Sequence, residues 1–129
     1  MSSYHPLGRL SEFPNGAMRT FSVGGRDVAV ARVDDRFFAF ADECSHRREY
    51  LTDGFLEGCR VACAYHEAVF DLATGAAVAG PTIEAIAVYA LRVTGDALEI
   101  EWPEQLAAGA VRAVDHGDKN ERLEREQII

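Results

Sequence analysis

Residues 44–66 read CSHRREYLTDGFLEGCRVACAYH, and they hold all three cysteines and two of the four histidines of the chain. The ligand-type residues form two like pairs, Cys44-x-His46 and Cys63-x-x-His66, sixteen residues apart, with Cys59 left over. An odd cysteine count argues against a disulfide framework. The N-terminus MSSYHPLGRLSEF, which lacks a basic region followed by an apolar run, predicts a reducing, cytoplasmic setting. One thiolate and one imidazole from each of two loops therefore point to a metal. Two chemistries suit such a set. Cys44, His46, Cys63 and His66 could hold a tetrahedral zinc in a structural interaction module. Alternatively they could hold two irons bridged by two sulfides, one iron taking both thiolates and the other both imidazoles. Zinc modules usually pair a C-x2-4-C with a second like pair, whereas an equal split across two loops suits two adjacent irons of unlike ligation.

Outward from this stretch the chain is a series of short β-type runs: MRTFSV (18–23), RDVAVARV (26–33), RFFAFA (36–41), AIAVYALRV (85–93) and ALEIEW (97–102). Gly24-Gly25, Asp34-Asp35 and Gly95-Asp96 supply hairpin turns, so the pattern predicts an antiparallel all-β domain over residues 1–103. RDVAVARV and ALEIEW alternate, and each is expected to pack one face on a core. After Trp102-Pro103 the composition turns to Ala, Glu and Arg, and residues 104–129 are expected to form a short helical C-terminal extension broken near Gly117. The formal net charge of −8 comes without a basic cluster, which excludes nucleic acid and anionic membrane as natural partners and leaves proteins with basic docking faces. No run approaches the roughly 20 apolar residues of a membrane span.

The pattern C-x-H-x16-C-x-x-H resembles the signature of Rieske ferredoxins. The resemblance extends to Arg47 after the first histidine, to Leu51 with Asp53-Gly54 (L-x-D-G), and to Phe70-Asp71 with Thr74-Gly75 (F-D-x-x-T-G). It also includes Gly80-Pro81, where the family has a proline loop over its cluster, and the following run 85–93, so that it covers roughly residues 1–102. The resemblance implies a Rieske iron-sulfur fold, an antiparallel β-sandwich with a small cluster-binding subdomain. It implies one [2Fe-2S] cluster held by Cys44, His46, Cys63 and His66, and an electron carrier rather than an enzyme. The implied partners are an NAD(P)H-dependent flavoprotein reductase as donor and a terminal Rieske oxygenase, commonly an aromatic-ring dioxygenase, as acceptor. The small Rieske subunit of an assimilatory nitrite reductase shares the fold, but such subunits often lack the ligands.

Departures from the family pattern are informative. Ala64 and Glu67 stand where proline and glycine are usual. Glu49 and Tyr65 occupy the positions of two extra cysteines that clamp the loops in high-potential members. Ala68 replaces a serine hydroxyl beside a bridging sulfide. Fewer hydrogen bonds to sulfur lower the reduction potential, toward the low end of the roughly −150 to +300 mV span of Rieske centres. Cys59 is expected to be a partly buried non-ligand on a strand between the loops. A terminal oxygenase would also need a mononuclear iron on two histidines and a carboxylate, and only His5 and His116 remain for it, at opposite ends of the chain.

Overall fold

The structure, a computed structural model, describes residues 3–43, 50–63, 68–80, 84–103, 105–107 and 109–114. Among the described residues there are twelve strands: β1 (Ser3–Arg9), β2 (Met18–Val23), β3 (Arg26–Val33), β4 (Arg36–Ala41), β5 (Phe55–Glu57), β6 (Arg60–Ala62), β7 (Val69–Asp71), β8 (Ala77–Ala79), β9 (Val88–Tyr89), β10 (Leu91–Thr94), β11 (Ala97–Trp102) and β12 (Val111–Val114). They make three sheets, ordered β12-β2-β3-β4-β9, β1-β11-β10 and β5-β6-β7-β8. Every pairing is antiparallel. No helix among the described residues is long and apolar enough to cross a membrane.

The three expected hairpins form where the turn residues stand: β2–β3 closes at Gly24-Gly25, β3–β4 at Asp34-Asp35 and β10–β11 at Gly95-Asp96. Asp34 is the single non-glycine residue of positive φ (55°) among the described residues. The Asn15 side chain holds it there: Asn15 Nδ2 donates to Asp34 Oδ1 (3.1 Å) and the Asp34 N–H donates to Asn15 Oδ1 (2.7 Å). Asparagine and aspartate tolerate this conformation because their short polar side chains bond locally.

The five-stranded sheet is the middle layer, because β3 is buried on both faces rather than on the one that its alternation predicts. Val28 and Val30 face a core made with Phe13, Phe21, Val23, Ala39, Leu98, Ile100 and Trp102, beneath the β1-β11-β10 sheet. Ala29 and Ala31 face a second core with Phe38, Phe40, Leu51, Val61, Cys63, Phe70 and Leu72, beneath the β5–β8 sheet. Register explains how a strand rich in alanine fills both layers. Ala29 lies opposite Phe40 and Ala31 opposite Phe38, while Val28 and Val30 lie opposite Ala41 and Ala39. Each large side chain covers the space left by a small one across the strand pair. By contrast β11 buries every second residue, as its pattern predicts.

Three further elements depart from the sequence-based expectation. The run 85–93 is not one strand: it breaks at Ala90, so that β9 pairs with β4 and β10 with β11, and the chain crosses from one sheet to another. Ser3–Arg9 forms an edge strand on β11, with Pro6 beside a register shift, the position where a missing N–H is tolerated. The helical expectation for 104–129 is corrected over Val111–Val114, which form β12 on the edge of β2, Val111 opposite Val23 and Val114 opposite Thr20. An open edge of β2 offers unpaired N–H and C=O groups, and Val111 and Leu106 pack on the core around Trp102. Pairing and burial together outweigh the helix preference of the alanines. Residues 115–129, including Gly117, lie outside the described residues.

Candidate metal centre

The β5–β8 sheet and the segments around it are built to bring two loop stems together. In the second loop, Cys63 follows β6 directly and is 3 % exposed, packed in the core that contains Leu51, Ala68 and Phe70. The Cys63 N–H donates to the Ala68 carbonyl (2.7 Å), continuing the β6–β7 ladder by one rung and pinching the base of the loop. In the first loop, the chain leaves β4 at Asp42 and returns at the 3-10 turn Leu51–Asp53. The turn is closed by Asp53 N–H to Tyr50 O (3.1 Å) and Gly54 N–H to Leu51 O (2.9 Å). Asp42 Oδ1 accepts from the Thr52 N–H (2.9 Å), and Asp42 Oδ2 accepts from the hydroxyls of Thr52 (2.9 Å) and Thr20 (2.5 Å).

Gly54 joins the two stems. A Cβ at this position would sit 1.9 Å from the Ala62 carbonyl oxygen, so the return of the first loop lies directly on the residue before Cys63. A third segment lies on Ala68, the residue that leads into β7: at Gly80 (φ 105°) a Cβ would lie 2.5 Å from Ala68 Cα. The L-x-D-G and G-P motifs thus carry glycine because another backbone occupies the space of a side chain. The F-D-x-x-T-G motif is the β7–β8 turn. Asp71 Oδ1 accepts from Ala73 N–H (2.8 Å) and Thr74 N–H (3.2 Å), and Gly75 N–H donates to the Asp71 carbonyl (2.7 Å).

Of the four expected ligands, the structure places Cys63, at the buried mouth of the second loop. Cys44, His46 and His66 lie outside the described residues, as do Glu49, Ala64, Tyr65, Glu67 and Pro81. No group of three or more His, Cys, Asp or Glu that could hold a metal occurs among the described residues. Cys59 is partly buried, as expected, but it stands in the two-residue turn between β5 and β6 rather than on a strand. Gly58 (φ 61°) is the signal that marks this turn. The Cys59 Sγ accepts a hydrogen bond from Arg36 Nη1 (3.3 Å) and lies at the opposite end of β6 from Cys63, about 13 Å away at 3.3 Å per extended residue. Neither cysteine is in a disulfide. Sequence reasoning passed over Thr20, Asp42 and Thr52, whose only local signal is an acid two residues before Cys44.

Among the described residues, the displaced pKa values fall on the opposite layer. Hydrogen bonds from Arg92 and Thr94 hold the Glu99 carboxyl below its usual range, and Tyr4 is raised by its hydrogen bond to Glu101. Arg92 also lies 3.9 Å over the Tyr4 ring, so these groups form a charge ladder across β1, β11 and β10.

Cys63, the one expected ligand among the described residues, is of the type that an iron-sulfur cluster takes. The Cys63 thiol is enclosed by Leu51, Ala68 and Phe70, an apolar surround that favours the neutral thiol unless a metal displaces its proton. The return of the first loop, at Gly54, is packed against its neighbour Ala62. The comparisons agree with this geometry. The chain is 33 % identical over 100 residues to the anthranilate 1,2-dioxygenase ferredoxin subunit of Burkholderia cepacia, covering 78 % of this chain and 93 % of that protein. It is 32 % identical over 92 residues to the ferredoxin component of the naphthalene 1,2-dioxygenase system of Pseudomonas aeruginosa, covering 71 % and 88 %. A solved complex of reduced oxygenase and oxidized ferredoxin in carbazole 1,9a-dioxygenase contains a chain that superposes with a TM-score of 0.73 at 27 % identity, over 81 % of this chain and 97 % of that one. The family model described as the Rieske [2Fe-2S] domain matches residues 3–90, a span that runs from β1 through both loop stems and Gly80 to β9. With that match over most of its length, the chain belongs to the Rieske [2Fe-2S] domain family.

Proposed function

We propose that this protein is the ferredoxin of a multicomponent aromatic-ring dioxygenase system. It takes single electrons from an NAD(P)H-dependent flavoprotein reductase in the cytoplasm and passes them to a terminal Rieske oxygenase. The observation that carries this reading is coverage: the chain spans 93 % of a protein named as a dioxygenase ferredoxin subunit, at 33 % identity. The oxygenase as acceptor is supported by the ferredoxin and oxygenase found together in the carbazole 1,9a-dioxygenase complex.

Cys44 and Cys63 would hold one iron of the cluster and His46 and His66 the other. The cluster supplies reversible storage of one electron. Two thiolates with two neutral imidazoles give the site less negative charge than four thiolates, which raises the potential above that of plant-type ferredoxins. Ala68, fully buried beside the Cys63 backbone, offers no hydroxyl to sulfur and keeps the potential low within the Rieske range.

Reconstitution tests the proposal. With a ring-hydroxylating oxygenase and a flavoprotein reductase from the same genome, substrate hydroxylation and NAD(P)H consumption are expected to rise with added ferredoxin until another component limits. Coupled turnover indifferent to this protein would contradict it. The net charge of −8 adds a kinetic expectation. Exposed charges are screened beyond about 8 Å at physiological ionic strength, so the rate of association with the reductase falls as salt is added. A salt-independent rate would assign docking to apolar contacts instead.

A further inference from the structure

Thr20 (4 % exposed) and Asp42 (1 % exposed) are the two buried polar side chains among the described residues, and they are bonded to each other. Burial of a carboxylate is costly unless donors surround it, and here three donors do: the Thr20 hydroxyl, the Thr52 hydroxyl and the Thr52 N–H. The knot joins three elements, since Thr20 lies on β2, Asp42 follows β4 and Thr52 lies in the 3-10 turn. The Asp42 N–H adds a fourth tie, to the Asp27 carbonyl of β3 (3.1 Å). Together these bonds bracket residues 43–51, the segment that contains Cys44 and His46.

We propose that Asp42 is a positioning residue for the metal centre: with Thr20 and Thr52 it ties together, against the middle sheet, the two stems between which Cys44 and His46 lie in the sequence. The inference rests on the ligand roles given under Proposed function. Nine residues anchored at both ends have fewer arrangements to lose when they bind metal than nine residues held only by their flanking elements. The effect belongs to the hydrogen bonds as well as to the packing, since the carboxylate joins Thr20 of β2 to Thr52 of the 3-10 turn. Groups bonded directly to a metal ligand typically change metal affinity by about 10- to 100-fold when removed, and Asp42, which is bonded to Thr20 and Thr52 at the loop stems, is expected to act at the low end of that span.

The test compares loaded Asp42→Ala, Thr52→Val, Thr52→Ser and Ile100→Val proteins. Ile100 is fully buried in the core on the opposite side of the middle sheet and reports what loss of stability alone does. The rate at which a chelator bleaches the visible chromophore is expected to rise by up to about 10-fold in Asp42→Ala, the low end of what removal of a group bonded to a ligand causes, and by less in Thr52→Val. Thr52→Ser, which restores the hydroxyl, is expected to bleach like the parent. The resonance lines of the reduced cluster are expected to shift or broaden in the first two variants and to stay unchanged in Ile100→Val. If Asp42→Ala fails to fold, Thr52→Val decides, because it keeps side-chain volume and the N–H bond to Asp42. Bleaching no faster than in Ile100→Val at matched melting temperature, with unshifted lines, overturns the positioning role. A parent protein that holds no iron-sulfur cluster would instead overturn the ligand assignment itself.

Discussion

Cys63→Ser and Cys44→Ser are each expected to yield protein without the iron-sulfur chromophore, whereas Cys59→Ser is expected to keep its full iron and sulfide content. The difference follows from where the thiols stand. Cys63 is buried at the pinched base of the second loop, beside the stem of the first. Cys59 sits in a hairpin turn at the far end of β6, accepting a hydrogen bond from Arg36. A serine hydroxyl is a far weaker ligand for iron than a thiolate, so loss at a ligand position is expected to be nearly complete rather than graded. Iron and acid-labile sulfide assays, with circular dichroism to show that each variant is folded, make the comparison. Iron retained in Cys63→Ser but lost in Cys59→Ser would mean that the ligand is the other cysteine.

Gly54→Ala is expected to be the most damaging single methyl that can be added near the centre. The new Cβ would lie 1.9 Å from the Ala62 carbonyl oxygen, a separation that requires backbone movement. Overpacking of this kind costs about 1–3 kcal/mol, and more where the neighbour is backbone. The movement also separates the first loop from Cys63, so cluster content falls together with stability. Gly25→Ala is the matched control: it has open space around the new methyl and only a left-handed backbone angle (φ 85°) against it, worth roughly 1–2 kcal/mol. Urea unfolding of the two variants, with iron content measured alongside, separates the cases. Equal losses of stability with full iron in both would show that the approach of Gly54 to Ala62 does not govern the site.

What the sequence reveals and conceals follows from how local each signal is. The turns at Gly24-Gly25, Asp34-Asp35 and Gly95-Asp96 are legible because a few adjacent residues determine them. The Cys44-x-His46 and Cys63-x-x-His66 pairs stand out for a related reason, since thiols and imidazoles at loop spacing have few structural uses, and their ligand role is part of the proposal. Burial of both faces of β3 is hidden because alanine looks neutral until Phe38 and Phe40 are placed opposite it. The break at Ala90 is hidden because it records a change of sheet, which no periodicity encodes. Val111–Val114 look helical until the open edge of β2 is available to pair with them. The knot of Thr20, Asp42 and Thr52 is the least legible feature, since its meaning exists only where three distant segments meet.

The centre itself is tested most directly on anaerobically purified protein reduced with dithionite. Electron paramagnetic resonance with nitrogen couplings, combined with metal analysis, is expected to show two irons and two labile sulfides per chain and one unpaired spin on reduction. Couplings to two imidazole nitrogens are expected, changed in His46 and in His66 variants alike. A colourless protein carrying one zinc, or a reduced cluster with no coupled nitrogen, would contradict a Rieske centre held by Cys44, His46, Cys63 and His66.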